Sequence, residues 1–248
     1  MVGIKAKPFL KWAGGKTQLL KQLESYYPES LKLGEIKKYI EPFIGSGAVF
    51  LEICQKYEIE SAHISDINFD LIQAYQVIQR WPDDLIEILG KLQVKFDKSS
   101  QMQRQLFFTE IRTQYNLQRK SVSTLKLSKD VINRTAQLIF LNKTCFNGLF
   151  RLNSKGEFNV PFGRYKNPKI LDAENIYQIS QLLQKTEIRS SEFESCYAIA
   201  DESSFIYFDP PYCPLNATSS FTSYSKSSFG PKEQKFLRDV FVELSEKG

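Results

Sequence analysis

The sequence predicts an α/β protein: an open, parallel sheet split by a long helical insertion. Three observations carry that expectation. Tyr39-Ile40-Glu41-Pro42-Phe43-Ile44-Gly45-Ser46-Gly47 followed by Ala48-Val49-Phe50-Leu51-Glu52-Ile53-Cys54 reads as strand, glycine turn and helix. A second strand, about Ala62 to Ser65, ends at Asp66-Ile67-Asn68. After a purely helical stretch the strand character returns at Glu187-Ile188-Arg189-Ser190 and at Phe205 to Phe208. Alternating strand and helix favours a parallel sheet, and open sheets of that kind hold ligands where strands leave them. At 248 residues the chain suits one large domain or a domain with an insertion.

Taken in order, Met1 to Pro8 carries Lys5 and Lys7 with no apolar signal core behind them, so a cytoplasmic protein is expected. No apolar run approaches the roughly 20 residues of a membrane span. Helical patterns follow the second strand at 69–80, 84–96, 101–117 and 128–142, with a Ser/Thr-rich joint from Ser121 to Ser128. A sheet-bearing domain is therefore expected at 1–68 with 170–248, and a helical inserted domain at 69–169. Within the latter, Lys143 to Lys169 is loop-rich and basic. Lys143, Arg151, Lys155, Arg164, Lys166 and Lys169 stand against Glu157 alone, an excess equal to the +5 of the whole chain. Phe146, Phe150, Phe158, Phe162 and Tyr165 interleave with these charges. That mixture suits a nucleic-acid surface; a solvated charged hairpin is the plainer alternative. A helix at 172–184 leads back to the sheet, and Pro231 opens a last helix after a Ser/Thr-rich loop from Cys213 to Gly230.

Asp209-Pro210-Pro211-Tyr212 closes the apolar run Ser204 to Phe208. Proline has no N–H and a fixed φ, so Pro210 and Pro211 leave nearby carbonyls unpaired and rigidly aimed. A carboxylate and an aimed carbonyl can accept from one amino group, while an aromatic ring stacks on the flat ring bearing it. Such a site suits chemistry at the exocyclic nitrogen of a base. Gly45-Ser46-Gly47 lets backbone approach a ligand, and Asp66, 19 residues beyond Gly47, stands where a carboxylate grips a ribose. The third glycine of the dinucleotide fingerprint is absent, with Phe50 in its place, so a nucleoside cofactor without phosphates fits better than NAD. Cys54, Cys145, Cys196 and Cys213 lack metal-ligand spacing and are expected as free thiols; no metal is expected. His63, the single histidine, sits in an apolar strand, which weakens any serine- or cysteine-hydrolase reading.

Lys11-Trp12-Ala13-Gly14-Gly15-Lys16, then Glu41 to Gly47, then Asp209-Pro210-Pro211-Tyr212 occur in the order found in Dam-type, D12-class DNA adenine-N6 methyltransferases, which the chain resembles from about Pro8 onward. Asn147 to Arg151 and Gly156 to Tyr165 also resemble that family's target-recognition hairpin, and the GATC-modifying members associated with restriction systems look most similar. The resemblance implies a Rossmann-like methyltransferase sheet and S-adenosyl-L-methionine as donor. It implies cofactor roles for Trp12, Lys16 (suited to the donor's carboxylate), Phe43, Gly45, Gly47, Asp66, Phe193 and Asp209. Double-stranded DNA would meet Lys11, Phe146, Asn147, Leu149, Arg151, Pro161, Arg164 and Tyr165. Asp209, Pro210, Pro211 and Tyr212 would be catalytic, acting by direct displacement on a flipped adenine.

The chain stops at Lys247-Gly248 where family members continue with further strands, so the last strands are expected to be missing. A monomer is expected where the sheet is complete; as an open edge, 204–208 is expected to lower solubility and activity. An active methyltransferase and a DNA-binding remnant without turnover both remain open. Methylation of a protein amide or RNA fits less well, because amide methylation goes with Asn at the position of Asp209.

Overall fold

A computed structural model describes residues 5–119, 129–211 and 229–246. Tyr212, most of the loop after it and the joint at Ser121 to Ser128 lie outside the described residues. In chain order the elements are α1 (Leu20–Leu23), α2 (Glu29–Lys32), β1 (Lys38–Glu41), α3 (Ala48–Lys56), β2 (Ser61–Asp66), α4 (Phe69–Arg80), α5 (Pro82–Asp97), α6 (Gln101–Leu117), α7 (Lys129–Thr144), α8 (Ala173–Leu183), β3 (Thr186–Ser190), β4 (Ser204–Ile206) and α9 (Pro231–Glu246). They gather into two compact units, Met1–Ala13 with Phe69–Gln181 and Gly14–Asn68 with Leu182–Gly248.

The second of these holds the sheet, with strand order β3-β2-β1-β4 and every pairing parallel. Tyr39, Ile40 and Glu41 of β1 are all buried, as a strand covered on both faces requires. Among the described residues β4 is bonded on one side, to β1, with Lys38 opposite Ser204 and Ile40 opposite Ile206. The apolar run predicts a strand as far as Phe208, but the ladder stops earlier. Tyr207 N still donates to Ile40 O at 2.9 Å; beyond it Pro210 and Pro211 have no N–H to continue. The helix α9 starts at Pro231 and buries Val240 and Leu244, one turn apart, against Ile40, Phe193 and Cys196.

The other unit is helical, and α7 is its centre. It packs against α4, α5 and α6 and is buried nearly all round, from Val131 to Thr144. Its one fully buried charge, Arg134, donates to both carboxylate oxygens of Asp70, at 2.7 and 3.1 Å, and to Tyr115 O at 2.6 Å. The Tyr115 hydroxyl completes the set on Asp70 at 2.9 Å. Pairing and hydrogen bonding together are what make such burial tolerable. Ser100 and Gln103 form a capping box at the start of α6. The apolar periodicity predicts α5 from 84; it begins at Pro82, which occupies the first turn where its missing N–H costs nothing.

Among the described residues no helix is long and apolar enough to cross a membrane, and no group of His, Cys, Asp or Glu is placed to hold a metal ion. Cys54, Cys145 and Cys196 are free thiols.

Candidate active site and nucleic-acid interface

In the sheet unit the turn after β1 is shaped by its glycines. Gly45 has φ 46° and Gly47 φ 70°, a region in which a side chain is strained. Gly47 also precedes α3, so backbone N–H groups crowd the turn. Asp66, at the end of β2, accepts from Gly45 N at 3.2 Å and from Asn68 N at 2.8 Å. Burial pushes its carboxyl up, and these backbone donors, with that of Ile67, work against the shift. The turn and Asp66 are thus one hydrogen-bonded piece.

Asp209 follows β4, the neighbour of β1, and its charge reaches Glu41, the last residue before that turn. Lys16 Nζ donates to both carboxylate oxygens of Asp209 at 2.6 Å and to Gly14 O at 2.9 Å. The pair is mostly out of water, with side-chain exposures of 13% for Lys16 and 24% for Asp209. Glu41, the last residue of β1, is buried as well and accepts from the Tyr39 hydroxyl at 2.7 Å. Burial first, and then the charge of Asp209, push the Glu41 carboxyl up to about 8; the Tyr39 hydroxyl, Phe50 N–H and Lys16 pull the other way. The surroundings of Glu41 thus favour the neutral form. Phe43 and Phe193 stack on each other, with centroids 5.6 Å apart, inside a cluster that includes Phe229 and Phe236.

The helical unit holds the remaining expected residues. Trp12 stacks on Phe150 with centroids 5.0 Å apart. Asn142 clamps the segment that carries it: its Oδ1 accepts from Lys11 N, and its Nδ2 donates to Lys11 O and Gly148 O, all at 2.9 Å. From Cys145 to Phe162 the chain forms an irregular antiparallel hairpin, bridged at Cys145–Phe162 and Leu152–Phe158. Asn147, at φ 56°, and Gly148, at φ 64°, make a left-handed corner at its base. A Cβ on Gly148 would lie 2.3 Å from Lys11 Cδ, so the corner and Lys11 are closely fitted. Phe146, Asn147, Leu149, Pro161 and Arg164 are exposed. Arg151 Nε donates to Asn159 Oδ1 at 2.8 Å, and Lys11 lies over the Tyr165 ring at 5.6 Å. Behind these, Lys143 is largely buried. Burial drives its ammonium down to about 8, aided by Lys11, Lys7 and Lys169 and opposed by Asp172.

The structure thus gathers Lys16, Phe43, Gly45, Gly47, Asp66, Phe193 and Asp209 in the sheet unit. Lys11, Trp12 and the hairpin residues belong to the helical one. Sequence reasoning missed Glu41, Asn142 and Asn159 as partners. Asn142 had a signal: it is a polar residue closing the apolar run Leu138 to Leu141. Asn159 had none.

Residues 12–248 match the family model of the D12 class N6 adenine-specific DNA methyltransferase. The chain is similar to the type II methyltransferase M.MjaIII of Methanocaldococcus jannaschii, at 49% identity over 99% of this chain and 82% of that protein. It is 39% identical to the type II methyltransferase M1.LlaDCHI of Lactococcus lactis subsp. cremoris, over 99% and 79%. Against the DNA adenine methylase of Escherichia coli it is 33% identical, over 98% and 78%. With a family match across nearly all of its residues, and relatives matched along most of their own length, the chain belongs to the D12 class of N6 adenine-specific DNA methyltransferases.

Proposed function

We propose that the chain transfers a methyl group from S-adenosyl-L-methionine to N6 of adenine in double-stranded DNA, within GATC, on a base flipped out of the helix. The observation that carries the reading is that Asp209-Pro210-Pro211 follow β4, next to β1, the strand that feeds the glycine turn. The residues suit the donor: a turn with two left-handed glycines, a half-buried carboxylate joined to it, and aromatic rings nearby. Asp66 would hold the ribose hydroxyls, Lys16 the amino-acid carboxylate, and Phe43, Phe193 and Trp12 the flat and apolar parts. When bound, the donor supplies an electrophilic methyl group.

The protein's part is to make a poor nucleophile competent. The N6 lone pair is delocalised into the adenine ring. Asp209 and the Pro210 carbonyl accept the two amine hydrogens and favour a tetrahedral nitrogen with its lone pair out of the ring plane. As positive charge grows on that nitrogen, the carboxylate stabilises it most in the transition state. Tyr212 stacks on the extruded base, and stacking of roughly 1–3 kcal/mol offsets part of a flipping cost of a few kcal/mol. Arg151 reads guanine, with Asn147 and Leu149 at neighbouring base edges. Phe146 enters the opened stack, and Lys11, Pro161, Arg164 and Tyr165 complete the DNA contact.

The resemblance of the hairpin to GATC-modifying enzymes supports the choice of site. Methyl transfer from labelled donor to duplexes differing only at GATC tests it. Label on the GATC duplex alone is the expected result; equal label on both duplexes, or label on neither, would refute it.

A further inference from the structure

Lys16 stands in a position at odds with the reaction proposed for Asp209. Its ammonium lies 2.6 Å from each carboxylate oxygen, where it neutralises the charge that should stabilise a developing cation. It also takes one acceptor site on each oxygen, where an amine would compete with it. A lysine in that place is a brake unless it moves. The means to move are local. Lysine is a compact charge on a flexible stem. Lys16 follows Gly14, at φ 76°, and Gly15, both exposed, and nothing lies within 4 Å of where a Cβ on Gly14 would stand. No second basic side chain bonds to Asp209 among the described residues, so moving Lys16 restores the charge of the carboxylate.

We infer that Lys16 is a positioning residue that blocks Asp209 until the donor's amino-acid carboxylate draws the ammonium away, so that Asp209 takes the target amine only once the cofactor is in place. The inference rests on the function proposed above and adds an order to it. Lys16 exchanges one carboxylate partner for another, no covalent bond changes, and the ion pair is conserved. The exchange also explains why a cofactor-holding lysine should sit so near the catalytic carboxylate: one cation serves both, and cannot serve both at once.

The test uses a duplex carrying the site found in the transfer assay, with 2-aminopurine beside the target adenine to report loss of stacking. Two donor analogues are compared: sinefungin, which keeps the amino-acid arm, and 5′-deoxy-5′-methylthioadenosine, which lacks it. With the wild-type protein, base capture should strengthen at least about tenfold with saturating sinefungin and stay unchanged with the methylthio nucleoside. In Lys16→Met, capture should reach the sinefungin level on DNA alone. A lysine that merely stabilised the fold would not make capture independent of the ligand's carboxylate. Equal capture with either analogue or with none, in protein shown by calorimetry to bind both ligand and duplex, would overturn the inference alone. Failure to bind sinefungin or the duplex would overturn the function beneath it too. The wild-type comparison decides the matter even if Lys16→Met does not fold.

Discussion

Asp209 and Glu41 are two carboxyl groups in one unit with opposite duties, and each carries an expectation. In the proposed reaction Asp209 acts on charge that exists mainly in the transition state. Asp209→Ala should therefore abolish transfer while cofactor and DNA affinities stay within about tenfold, roughly 1.4 kcal/mol. Asp209→Asn should also be strongly impaired, since an amide accepts a hydrogen bond but lacks the charge. Near-normal turnover in single-turnover assays of either variant would remove the assignment. Glu41 is raised to about 8 in the fold from an ordinary 4.5. Between those values the unfolded chain has lost a proton that the folded one keeps. Stability is then fully present below pH 4.5 and falls, at roughly 1.4 kcal/mol per pH unit, as pH rises toward 8. Glu41→Gln should melt with less pH dependence and exceed the wild type at pH 9; parallel melting curves would show that Glu41 ionises freely. Asp209 was legible as a candidate because proline announces where a ladder ends. The raised carboxyl of Glu41 was not, because burial is set by strands remote in sequence.

At the level of elements, the helices were legible to within a few residues because each long one carries a 3.6-residue apolar stripe, as in α4, α5 and α6. Strands β1, β2 and β4 were legible as short apolar runs ending in polar residues. The ties that fix the hairpin and the N-terminal segment to the helices were not, since they are single side chains gripping main chain rather than periodic pairs. Asn142 on Lys11 and Gly148, Asn175 on Lys7, and Asn116 on Phe158 each pair with both a donor and an acceptor of the backbone. Asn142→Ala leaves three backbone groups without that partner, and at about 1–3 kcal/mol for each group left unsatisfied it should lower the melting midpoint sharply. A midpoint unchanged in denaturant titration would mean that water replaces the amide. For recognition, Arg151→Ala should narrow the affinity gap between GATC and a one-base variant. Lys166→Ala, which removes an exposed charge beyond the hairpin, should weaken both duplexes alike. An unchanged ratio in the Arg151 variant would refute its base-reading role.

Across the whole molecule, charge is the property read most easily from sequence and used most diffusely. The net +5 of the chain equals the excess between Lys143 and Lys169, so DNA affinity should depend steeply on salt. Five neutralised phosphates imply a slope of log affinity on log salt of about −4.5, and a slope near zero in titrations from low to physiological salt would place the DNA elsewhere. The sequence also showed that helices intervene between two parts of a sheet. It did not show where packing divides the chain: Trp12 falls with the helical unit and Lys16 with the sheet, a boundary inside one short motif that follows from the clamp of Asn142 on Lys11.

The half-buried Lys143 gives this charge distribution a further property. With an ammonium that titrates near 8 and other lysines around it, part of the population is neutral in mildly alkaline solution. A phosphate brought against it would favour the charged form. Binding of DNA at pH 8 would then consume hydrogen ions from the medium. The heat of association measured in two buffers of different ionisation enthalpy should differ accordingly, and that difference should vanish in Lys143→Met.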